Sequence, residues 1–74
     1  MNTQDALELA ARDDHFRELQ KKHQEHEREI ASLAAKGRLT EEEDFEEKRL
    51  KKEKLAIKDQ MEELLRRYRE SATV

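Results

Sequence analysis

Apolar residues recur along this chain at intervals of three and four, and no apolar run exceeds three residues. In the N-terminal half the seam positions are Leu9, Phe16, Leu19, His23, His26, Ile30 and Leu33. From Phe16 onward their spacing alternates between three and four, the signature of a heptad seam on one face of a helix. In the C-terminal half Leu50, Ile57, Met61, Leu64, Leu65 and Tyr68 share one helical face. No stretch alternates in the period of two that a half-buried strand requires. The pattern predicts an all-α protein made of two long amphipathic helices.

The boundary between them is written in local chemistry. Gly37 is the one glycine and there is no proline. Glycine adopts the left-handed conformation that closes a helix, and Lys36 suits the negative end it closes. Thr40-Glu41-Glu42-Glu43 follows and fits a capping box. In it the Thr40 hydroxyl accepts from the Glu43 N–H, and the Glu43 carboxylate accepts from the Thr40 N–H. Stop and start signals this close predict an antiparallel two-helix hairpin: a helix over about 5–36, a turn over 37–40, a helix over about 41–70 and a frayed tail over 71–74. Asp13 competes with a continuous first helix, because it could cap a fresh helix starting at Asp14. The reading favours one helix over about 5–36 and leaves open a kink or break near Asp13.

Folding the hairpin about its turn brings Leu33 opposite Phe45, His26 opposite Leu50 and His23 opposite Glu53 or Lys54. Leu19 then meets Ile57, Phe16 meets Met61 and Leu9 meets Tyr68. Apolar groups gather at the open end and the middle is polar. Two helices cover only one side of each other's stripe, whereas four enclose it. Phe45 and Leu55 lie off the stripe and would stay exposed in an isolated hairpin. The expectation is therefore a homodimer forming a four-helix bundle, or docking onto a partner helix, through Leu9, Phe16, Leu19, Ile57, Met61, Leu64 and Tyr68.

Composition changes this picture in one respect. Charged residues make up 47% of the chain and hydrophobic residues 34%, a balance that periodicity alone separates from a disordered segment. The exposed faces carry acid-first pairs four residues apart: Asp13 with Arg17, Glu18 with Lys22, Asp44 with Lys48, Glu47 with Lys51, and Glu62 with Arg66. Each supports an isolated helix by about 0.2–0.5 kcal/mol. A net charge of −3 offers no overall basic field for nucleic acid. Neither a secretory leader nor a membrane span is recognisable, so the chain reads as cytoplasmic.

Candidate chemistry is sparse. Without cysteine there are no disulfides, thiolate metal sites or thiol nucleophiles. His23 and His26 lie three apart with Glu27 nearby, a spacing able to hold a metal, but no second ligand cluster is visible. Polar seam residues that set register, or that pair with Glu53, are the simpler reading. His15 reads as a local cap or packing contact. No glycine-rich phosphate loop and no nucleophile supported by a base is present. The expectation is no enzyme activity, no cofactor, no metal and no small-molecule substrate. The alternative is a nucleic-acid accessory factor using Lys48, Lys51, Lys52, Arg66 and Arg67; interspersed acids and the lack of an aromatic platform count against it.

Asp13-Asp14-His15-Phe16, together with the charge-rich segment from Leu50 to Leu65, resembles the YdcH-like family of small proteins, a domain of unknown function. The resemblance spans about residues 12–67. Members often carry proline before the histidine, where this chain has Asp14. The resemblance implies a bacterial, cytoplasmic helical hairpin and supplies no catalytic residues; His15 and Phe16, which match the motif, are read as structural.

Overall fold

The structure, a computed structural model, describes residues 3–72. Those residues form three helices, α1 (Thr3–Arg12), α2 (Asp14–Ala34) and α3 (Glu41–Ala72). The first helix of the sequence reading is thus two helices separated by one residue. Asp13 takes an extended conformation (φ −120°, ψ 109°). Its carboxylate accepts from the backbone N–H of His15 at 2.9 Å and of Phe16 at 3.2 Å. Those are two of the donors that any helix start leaves without an internal partner. The cap therefore substitutes for the helical bonds that the break removes. Asp13 N–H still donates to the Leu9 carbonyl at 2.8 Å, so the two helices stay joined end to end while the chain turns.

The second boundary follows the local signals. α2 ends at Ala34, two residues before the expected end, and Ala35, Lys36 and Gly37 close it through N–H donation to Ala31, Leu33 and Ala34 carbonyls. Gly37 has φ +73°, the left-handed region in which an added Cβ is disfavoured. At the start of α3 both arms of the capping box form at 3.1 Å, Thr40 N–H to Glu43 Oε1 and Glu43 N–H to Thr40 Oγ1. Lys36 reaches across the turn to the same Glu43 carboxylate. α3 continues through Ser71 and Ala72, beyond the expected end, while Thr73 and Val74 lie outside the described residues.

α2 and α3 run antiparallel, as the ladder of contacts requires: Lys36 with Glu43, His26 with Glu53, and Phe16 packed in one cluster with Met61 and Leu65. Thirty-two residues of α3 span about 48 Å at about 1.5 Å per residue. α1 and α2 together are nearly as long, which accounts for the 52 × 18 × 16 Å shape.

The turn at Asp13 carries α1 over the far end of α3. Asp5 reaches Arg69, Glu8 accepts from the Tyr68 hydroxyl at 2.7 Å, and the Arg12 guanidinium lies 5.8 Å from the Tyr68 ring centroid. Leu9 is thereby delivered to the core. The buried cluster is Leu9, Phe16, Leu19, Met61 and Leu65, with Ala6, Ala10, Ile57, Leu64 and Tyr68 packed against it. Phe16, wholly buried, sits at its centre. The end of the α2–α3 pair away from Gly37 is thus packed by residues of the chain itself.

Candidate functional site

The seven residues assigned from sequence to an association seam are brought together by the fold, but within one chain. Leu9, Phe16, Leu19 and Met61 are buried there, and Ile57, Leu64 and Tyr68 are half-buried against them. Leu50 and Leu65, on the same face of α3, complete the buried set. Within the single chain Leu9, Phe16, Leu19 and Met61 leave water without a second copy, while Ile57, Leu64 and Tyr68 do so only in part. α1 supplies part of the cover, through Leu9 and through Ala6 and Ala10 packed against the cluster.

What remains for a partner lies on the opposite side of α3. Phe45 is 70% exposed and Leu55 60% exposed. At about 100° per residue both project away from the Leu50–Met61–Leu65 face. Their exposure follows from the stripe, as the sequence indicates. Leu7 of α1, 63% exposed, is a further large apolar residue outside the stripe. It lies two residues before Leu9, a helical offset that turns it away from the core.

Between the main cluster and Leu50 the helix interface is polar. His26 Nε2 meets Glu53 Oε2 at 2.8 Å, while Nδ1 lies 2.8 Å from the Lys22 carbonyl. Glu53 is held from its other side by Arg49 at 3.2 Å. The Glu53 hydrogen bond raises the His26 pKa above its ordinary value, and the same bond lowers that of Glu53. His26 is therefore the residue that takes Glu53, where the hairpin register paired that carboxylate with His23. His23 turns instead to Glu27 on its own helix at 3.7 Å, and Glu27 reaches Lys54 at 3.6 Å. Among the described residues no three His, Asp or Glu side chains converge to hold a metal ion.

At the far end the Tyr68 hydroxyl bond holds the Glu8 carboxyl below its usual range and pushes the tyrosine up. His15, free of the core, borders a solvent-open groove with Asp59, Gln60, Glu63 and Leu64. The groove presents no base held against a nucleophile, and its walls are side chains of two helix surfaces.

The cations named for nucleic-acid binding are mostly engaged by neighbouring acids. Lys48 pairs with Asp44 at 3.0 Å and Lys51 with Glu47 at 3.3 Å, as the four-residue spacing indicates. Arg66 and Arg67 both take Glu63, so Arg66 prefers the acid three residues back to the Glu62 expected from sequence. Arg17 likewise pairs with Asp14, because Asp13 is occupied as a cap. Lys52 is the exception: among the described residues it makes no ion pair.

No helix of the described residues is long and apolar enough to cross a membrane. The fold and its surfaces thus define a small, charge-rich all-helical protein whose long helices pair along a short apolar core. The family model described as a protein of unknown function, DUF465, matches residues 16–65, and the chain belongs to that family. It is the YdcH-like family that the Asp13–Phe16 and Leu50–Leu65 segments resemble. Comparison with the curated proteins and with the solved structures finds no significant match.

Proposed function

We propose that the protein is a non-enzymatic helical interaction module that self-associates, two copies bringing four long helices together. The observation that supports this most strongly is the pair of large apolar side chains, Phe45 and Leu55, left on the outward side of α3 after the chain has closed its own core. Scattered single hydrophobics are ordinary on a surface. Two on one face of a helix that already has its own seam are a second, thinner stripe, and a stripe of this kind suits a helical partner.

The non-enzymatic part of the reading rests on site architecture. Acid–base and nucleophilic chemistry need groups held in a water-poor pocket with matched proton affinities. The perturbed carboxylates here, Glu8, Glu43, Glu53 and Glu63, each answer to a visible structural partner: Tyr68, Lys36, His26 and Arg66 respectively. Their shifts are accounted for by bonds that hold helices and caps together.

Light scattering on the purified protein across a concentration series tests the association. The expected mass rises from the 8.9 kDa of one chain toward twice that value. A mass that stays at one chain up to about 1 mM, the weakest range in which specific pairing is meaningful, would overturn the proposal.

A further inference from the structure

The outward stripe of α3 carries a charge order that fits its own reverse. Reading along that face at intervals of three and four gives Phe45, Lys48, Lys52, Leu55, Asp59, Glu63 and Arg66. Leu55 stands near the middle, with cations on its N-terminal side and acids on its C-terminal side. Two such stripes laid antiparallel, with a two-fold axis beside Leu55, bring Lys52 opposite Asp59 and Lys48 opposite Glu63. Phe45 falls opposite Arg66, an arrangement suited to a cation over an aromatic face. Each contact occurs twice, because a two-fold interface joins the same surface to itself.

Parallel, in-register pairing of the same stripe fails this test. It sets Lys48 on Lys48, Lys52 on Lys52 and Asp59 on Asp59, and like charges in contact are unfavourable.

The ion pairs within the chain sharpen the point. Among the described residues Lys52 and Asp59 take part in no ion pair or side-chain hydrogen bond. Most charged neighbours on α3 do: Lys48 with Asp44, Arg49 with Glu46 and Glu53, Lys51 with Glu47, Lys54 with Glu27, and Arg66 with Glu63. Lys52 and Asp59, both without such a partner, flank Leu55, which is 60% exposed, and they match across the proposed axis.

We infer that the outer face of α3 is the docking surface for a second copy of this chain, antiparallel, with Leu55 at the two-fold axis and Lys52 facing Asp59 of the other copy. The inference rests on the self-association proposed above and names its geometry. The four long helices then lie in one layer, in the order α2, α3, α3, α2, instead of a closed bundle. One helix face is a small interface, so the pairing is of the kind that dissociates on dilution. Its charge pairs lie at the surface, so it weakens with salt.

Charge reversal separates this geometry from association in general. Lys52→Glu sets acid against Asp59 in both symmetric contacts, and Asp59→Lys sets base against Lys52. Each single variant should weaken dimerisation about tenfold, and the double variant Lys52→Glu/Asp59→Lys should recover it, since attraction returns with signs exchanged. Circular dichroism on each variant checks that helicity is kept, since Asp59 borders the groove beside His15. Weakened singles and a recovered double support the inference. A wild-type protein that dimerises as strongly as all three variants overturns this geometry while leaving self-association standing. A wild-type protein that stays monomeric overturns both.

Discussion

At the residue scale the structure turns on a few side chains that do two things at once. Asp13 ends one helix and starts the next. Glu43 accepts from the Thr40 N–H and binds Lys36 across the turn. His26 is the most consequential, because its bond to Glu53 joins α2 to α3 outside the main apolar cluster. Its imidazole exposes 18% of its surface and faces Glu53, with Arg49 sharing that carboxylate and Glu29 adding negative potential. Glu53 raises the folded-state pKa of His26, so this stabilisation is complete below the unfolded value of 6.5 and fades as pH rises through the folded value. Glu53 is shifted downward, so its share is present above 4.5 and is lost as pH falls through its folded value. The pair therefore contributes most between those two values. Urea unfolding should show stability falling from pH 6 toward pH 8, and His26→Gln should flatten that fall. An unchanged slope in the variant would remove His26 from the account.

At the element scale, what was legible in the sequence was whatever local chemistry decides. Gly37, Thr40 and Glu43 fix the turn, and each does in the structure what its residue type demands. The stripe on α3 identified the buried face, and Phe45 and Leu55 were legible as residues outside it. Asp13 was only half legible. A carboxylate at that place stabilises a helix start by accepting N–H donors, yet the flanking Ala11, Arg12 and His15 permit a continuous helix. In the structure the Asp13 carboxylate takes the His15 and Phe16 N–H groups and the helix breaks there. Ion-pair choice was equally beyond a spacing rule. Arg66 and Arg17 take acids three residues back because the geometry of a helix permits both offsets. The cap itself has a measurable weight. Asp13→Ala should lower the stability of the protein by about 1 kcal/mol, while Asp13→Asn should retain most of it, as urea midpoints would report. Equal stability in all three proteins would mean that the break is held by packing alone.

At the scale of the whole molecule, a stripe of apolar residues declares that something must cover it but does not say what. Leu9, Phe16, Leu19 and Met61 carry that ambiguity: their spacing is the same whether the cover is a second copy or the chain's own first helix. In the single chain those side chains pack together, with Leu9 of α1 in the same cluster. The association we propose is displaced to the far side of α3, where Phe45 and Leu55 remain exposed and the charges around Leu55 are self-complementary. Family membership adds a shared sequence pattern over residues 16–65, which includes Phe45 and Leu55, and no assigned activity.

The absence of cysteine makes the central claim directly accessible. A single Leu55→Cys substitution puts a thiol beside the proposed two-fold axis, and Leu7→Cys puts one at a comparably exposed apolar site on α1. Mild oxidation of the two proteins, read on a non-reducing gel, should convert the Leu55→Cys protein to a covalent dimer and leave the Leu7→Cys protein largely single. Equal cross-linking of both, or of neither, would contradict the claim that two copies meet along the outer face of α3.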